Sequence, residues 1–146
     1  MLIRNELFFE QIDALLAEGQ EATFRLRGDS MRPLLRNGRD VVVVAPCDPM
    51  TLKRGDVVLF RYRGRHILHR IVRCEGDRLL LAGDGNYRTT EACCLADVVG
   101  RLVRVQRPSG REITCASRSW RWRSRLWLCL PPLVRRVILG VARRLP

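Results

Sequence analysis

The sequence holds a single lysine, Lys53; every other one of its 27 basic residues is arginine. Any chemistry that needs an amine therefore has one candidate. Histidine is almost as scarce, with only His66 and His69. The six cysteines, at positions 47, 74, 93, 94, 115 and 129, form no C-x-x-C or C-x-x-H pair. That scatter excludes a zinc ligand set and suits unpaired thiols in a reducing compartment better than a disulfide framework. No stretch approaches the ~20 apolar residues of a membrane-spanning helix. The most apolar run, Leu126 to Val134, is interrupted by Pro131-Pro132 and closed by Arg135-Arg136. Met1-Leu2-Ile3-Arg4-Asn5-Glu6 lacks a cationic segment followed by an apolar one, so no secretory signal is expected. Internal repeats and low-complexity tracts are missing too.

Acidic residues are absent from one region only. Residues 1–112 carry 19 basic and 15 acidic side chains, about +4, while residues 113–146 carry eight arginines and no acid, +8 of the net +12. The basicity thus belongs to a tail, and the predicted division is a 1–112 body and a 113–146 Arg/Trp-rich tail. At 146 residues the chain is the size of one domain and can bury a core without covalent staples. In the tail, Trp120, Trp122 and Trp127 interleave with Arg118, Arg121, Arg123 and Arg125; beyond the Pro-Pro break, Val134, Val137, Ile138, Val141 and Leu145 recur at helical spacing opposite Arg136 and Arg143. Arginine and tryptophan beside an apolar stripe suit an amphipathic helix in a membrane interface. The same stripe can dock on the protein's own core or on a second copy, and the arginines can meet nucleic-acid phosphates. Membrane contact through residues 117–145 is the leading expectation and nucleic acid the least favoured. The expected location is cytoplasmic, peripheral at the inner face of the membrane.

Hydrophobic spacing predicts a helix over 5–18, with Leu7, Phe8, Ile12, Leu15 and Leu16 on one face, Asn5 as N-cap and Gly19 as the stop. Short β-rich runs follow at 23–27, 41–44, 57–60, 67–72, 79–81 and 98–105. Arg61-Tyr62-Arg63-Gly64-Arg65 reads as a hairpin turn, and Gly83-Asp84-Gly85-Asn86 as a sharp turn. Short strands with glycine punctuation predict a mostly β fold of coiled, barrel-like sheets.

Two segments carry chemistry. Gly28-Asp29-Ser30-Met31-Arg32-Pro33 places a hydroxyl on a glycine-preceded turn, and Ile67-Leu68-His69-Arg70-Ile71-Val72 places an imidazole on a strand. A serine hydroxyl becomes a useful nucleophile when a base within about 2.6–3.2 Å takes its proton. Histidine titrates near neutral pH unaided. Lysine needs its pKa lowered by burial, and Lys53 sits in a turn beside Arg54 with nothing to desolvate it. Strand alternation sets Ile67, His69 and Ile71 on one face and His66 on the other. A histidine between two isoleucines is partly buried and needs a hydrogen-bond partner, which Ser30 can supply.

The pairing resembles the signal-peptidase-like S24/S26 serine peptidases, in which a G-x-S-M-x-P turn supplies the nucleophile. Bacterial members use a lysine base; archaeal and endoplasmic-reticulum members use a histidine in an H-R-I-V context, the form found here. The resemblance covers roughly residues 20–105. It implies a signal-peptidase-type β fold and a serine endopeptidase acting on a peptide or precursor protein, with a preference for small residues before the cut. Ordinary signal peptidases also carry an N-terminal membrane anchor, which is not seen here. Ser30 is then the nucleophile and His69 the base. Asp84 is the candidate third member, its other reading being a turn aspartate that caps its own backbone. Where some members supply a serine hydroxyl two residues before the nucleophile, this chain has Gly28. Oxyanion stabilisation then falls on backbone N–H groups of the Gly28–Met31 turn, most simply that of Ser30. No cofactor and no metal is expected. The Gly-Asp-Ser-Met turn is also similar to self-cleaving repressors, but their lysine base and an upstream helix-turn-helix are lacking. A catalytically silent member of the same fold, acting as a peptide-binding or membrane-docking adaptor, is the alternative.

Overall fold

A computed structural model describes residues 5–26, 30–35 and 39–144. Helix α1 (Asn5–Ala17) is followed by strands β1 (Ala22–Arg25), β2 (Val41–Ala45), β3 (Val57–Tyr62), β4 (Arg65–Glu75), β5 (Arg78–Gly83), β6 (Asn86–Cys94), β7 (Val98–Gln106) and β8 (Glu112–Thr114). Helices α2 (Arg118–Cys129) and α3 (Pro132–Arg144) complete the order. The strands form one antiparallel sheet in the order β1-β2-β7-β3-β4-β5-β6, with β8 on the free part of β7. The mostly β expectation holds.

The sheet coils because its ladders are interrupted. Register shifts fall at Val43/Val44, Leu59/Phe60, Ile71/Arg73 and Leu81/Gly83. Each irregularity bends its strand and increases the local twist. The predicted hairpin between β3 and β4 closes through Arg63 and Gly64, both at positive φ, with Tyr62 opposite Arg65. Two positive-φ residues match the right-handed twist of the flanking strands.

Coiling gives the strands two buried faces. On β3, Val57 and Leu59 enter a cluster with Ile12, Leu16, Val42, Val44 and Trp120, while Val58 and Phe60 enter a second cluster with Ile71, Leu79 and Leu81. Alternation also separates the two histidines, as expected. His66 turns to α1, stacking on Phe9 with ring centroids 4.5 Å apart and meeting Asp13 at 2.9 Å. His69 turns to the second cluster, its ring 6.2 Å from that of Phe60.

Three expectations need correction. The inward ridge of α1 is Phe8, Ile12 and Leu16, joined by Phe9, whereas Leu15 is 37% exposed; Leu7 lies outside the residues whose side chains are described. Gly19 does end the helix, at φ +80°. Strands β6 and β8 were not anticipated, because Asn86-Tyr87-Arg88-Thr89-Thr90-Glu91 carries almost no apolar alternation. In the tail, α2 buries Trp120, Ser124 and Trp127, and α3 buries Leu139 and Ala142. The tail therefore docks on its own body. Val134, Val137 and Val141 of the expected stripe stay exposed on the opposite side of α3, joined by Leu133; Leu145 lies outside the described residues.

Candidate active site

Ser30 opens a turn anchored by Met31 and Leu35, which are fully buried in the first core cluster. The Leu35 N–H donates to the Met31 carbonyl at 3.0 Å, so two buried side chains and a backbone bond hold the turn while Ser30 stays partly open. Its carbonyl accepts from the Gly85 N–H at 2.7 Å. The Ser30 turn is thereby clipped to the β5–β6 turn.

Gly83 shows how closely these parts meet. A Cβ there would overlap the Ser30 carbonyl oxygen and lie 3.0 Å from His69 Nε2 and 3.1 Å from Ser30 Cβ. His69 Nε2 and the Ser30 side chain thus converge on one point that only a glycine leaves open. The pairing of Ser30 with His69, drawn from sequence, is a spatial neighbourhood in the structure.

The other ring nitrogen, Nδ1, lies 3.0 Å from Glu91 Oε2, with the two side chains 7% and 12% exposed. An ionised carboxylate only accepts hydrogen bonds, so Nδ1 carries the proton in this contact, and in the neutral ring Nε2 is left as the acceptor. Register explains the contact: Glu91 stands opposite Leu81, which stands opposite Ile71, a residue on the His69 face of β4.

The carboxylate behind His69 is therefore Glu91 and not Asp84, which corrects the expected third member. Asp84 receives two hydrogen bonds from Arg70, Nε to Oδ1 and the second guanidinium nitrogen to Oδ2, each 2.8 Å. Arg70 also donates to the Gly55 carbonyl at 2.8 Å and lies 5.8 Å from the Trp120 ring centre. The physical reason is alternation: Arg70 follows His69 on β4, so it faces the opposite side and draws Asp84 there. Asp84 anchors the turn whose Gly85 N–H holds Ser30. Met31 acts as a buried anchor of the nucleophile turn, and Gly28 lies outside the described residues. Lys53 is exposed in its turn, with its backbone N–H held by Asp56 at 3.1 Å.

Glu91 was legible only in hindsight. Simple hairpin counting from the Gly83–Asn86 pair puts Arg88 opposite Leu81; the bulge moves Glu91 into that place.

The helical tail packs beside the β5–β6 turn. Trp127, Leu128 and Arg135 line a cavity of about 180 Å³ with Ala82, Gly83, Asp84 and Thr90. Arg32, two residues after Ser30, donates to the Ala142 carbonyl of α3 at 3.1 Å.

A coiled antiparallel sheet bearing a serine turn and a carboxylate-backed histidine defines a peptidase-fold protein. A family model described as Peptidase S24-like matches residues 5–103, and the chain belongs to that family. The match takes in α1, which the resemblance read from sequence had left out; α2 and α3 fall beyond it. No curated protein matches the chain.

Proposed function

We propose that the protein is a serine endopeptidase in which Ser30, His69 and Glu91 act as one unit. The observation that supports it most is the convergence of Ser30 and His69 Nε2 on Gly83, with Glu91 on Nδ1. Ser30 Oγ attacks the scissile carbonyl while its proton passes to Nε2, giving a tetrahedral oxyanion. The resulting imidazolium returns the proton to the leaving amine as the peptide bond breaks and an acyl-serine remains. Water then attacks the ester, His69 again taking and returning the proton. Glu91 holds the ring in the productive tautomer and stabilises the imidazolium.

A fluorophosphonate probe tests this directly, because it forms a covalent bond only with an activated serine. The expected result is labelling at Ser30 by mass spectrometry, lost in Ser30→Ala with the thermal midpoint nearly unchanged. An unlabelled but folded wild-type chain would support the silent adaptor instead.

Among the described residues no helix is long and apolar enough to cross a membrane. Trp122 of α2 is 65% exposed, and Leu133, Val137 and Val141 of α3 are 70%, 59% and 57% exposed beside Arg136. That outward face supports peripheral contact with an anionic membrane at the cytoplasmic side. Co-sedimentation with anionic vesicles should fall when Trp122 and Val137 are replaced by serine; unchanged binding would refute the contact.

A further inference from the structure

A cavity of about 340 Å³ lies away from Ser30, between the Thr51–Val57 turn, β7 and α2. Six cations line it: Lys53 and Arg54 from the turn, Arg101 and Arg104 from β7, and Arg121 and Arg125 from α2. Asp56 is the one carboxylate among its lining residues, 3.9 Å from Arg101. Arg104 is engaged outside it, by Glu21 at 2.8 Å and Glu112 at 3.2 Å. Among the described residues, no carboxylate pairs with Lys53, Arg54, Arg121 or Arg125.

A second observation comes from the same wall. Ser124, one turn from Arg121 and adjacent to Arg125, is 97% buried, lines the cavity, and its hydroxyl has no hydrogen-bond partner. Buried hydroxyls are nearly always satisfied, so one left open beside unpaired cations marks a missing acceptor. The acceptor must be an anion, since like charges gathered around one hollow repel unless a counter-charge joins them. A lone carboxylate offers two oxygens and one charge. A phosphate group offers more acceptor oxygens, enough for two guanidinium forks and a serine hydroxyl together.

We propose that this cavity binds a phosphate group, carried by a soluble phosphomonoester or by the headgroup of an anionic lipid. The site is independent of the Ser30 chemistry and stands if that reading fails.

The test titrates the full chain, at constant ionic strength, with inorganic phosphate, with glycerol phosphate, and with phosphatidylcholine vesicles containing or lacking phosphatidic acid. Saturable binding is expected, weakened about tenfold by Arg54→Gln or Arg125→Gln and about threefold by Ser124→Ala. Arg78→Gln, an equal loss of charge on exposed β5 surface, should leave it unchanged. Ser124→Ala removes only an unpartnered oxygen, so its thermal midpoint should match that of the wild type. Binding of the soluble phosphates identifies a soluble ligand. Binding only to phosphatidic-acid vesicles, with the same variant pattern, identifies a lipid headgroup. Equal loss in Arg78→Gln and the cavity variants would overturn the site, as would vesicle binding that ignores the cavity variants, binding of oligonucleotides alone, or no saturable binding of any probe.

Discussion

Two carboxylate-paired bases stand back to back on β4, and they differ in the one property that matters for catalysis. His69 with Glu91 retains some access to solvent, while Arg70 with Asp84 is sealed, at 0% and 2% exposure. Arginine does not release its proton in a protein, so the Arg70–Asp84 pair is a permanent charge pair and can only hold structure. Histidine gives and takes a proton near neutral pH. Adjacent residues on one strand thus divide the work in the proposed mechanism: one face would carry the proton transfer, the other keeps the β5–β6 turn in place. Sequence proximity alone does not assign a role; the face of the strand does.

The comparison can be broken from either side. Glu91→Gln should lower the rate of fluorophosphonate labelling by about 10²–10⁴-fold while stability changes little. If labelling is unaffected, the two pairs are both structural and the contrast fails. Asp84→Ala should do the reverse, costing about 3–5 kcal/mol in denaturant titration, because it strands the buried Arg70 charge. A stable Asp84→Ala protein with slowed labelling would hand Asp84 the role assigned to Glu91. Gly83→Ala, at the meeting point, should destabilise by about 1–3 kcal/mol and depress labelling together, since its Cβ runs into the Ser30 carbonyl.

One buried and one half-buried thiol sharpen the distinction with the smallest effect. Burial pushes Cys93, beneath the His69 face, up to about 11, and Cys115, beside the Arg70 face, up to about 12 even though Arg70 pulls it the other way. Near pH 8 alkylation should therefore reach the exposed Cys94 and Cys129 first. In Asp84→Ala, Cys115 should become reactive before Cys93. The opposite order would mean that the two faces do not open separately.

Much of this was legible in the residues. Ser30 and His69 could be paired because each sits in a distinctive local context, and alternation alone told His69 from His66. Helix α1 and most strands followed from apolar spacing. Glu91 escaped because a bulge shifts its register, and β6 because Thr, Glu and Arg dominate its length. Asp84 misled because a turn aspartate reads the same whether it serves a histidine or an arginine. The tail stayed open for a different reason: tryptophan beside arginine suits a membrane interface and a docked helix equally. Here Trp120 and Trp127 are buried while Trp122 is not.

The contact of Gly83 with both Ser30 and His69 also bears on when the site can exist. Nucleophile, base and carboxylate lie on three segments far apart in the chain, and the β5–β6 hairpin is what gathers them. A chain whose hairpin has not closed, whether still emerging during synthesis or partly unfolded, has none of the three in register. Under the proposed endopeptidase reading, unfinished copies would cut nothing, without needing a separate inhibitor.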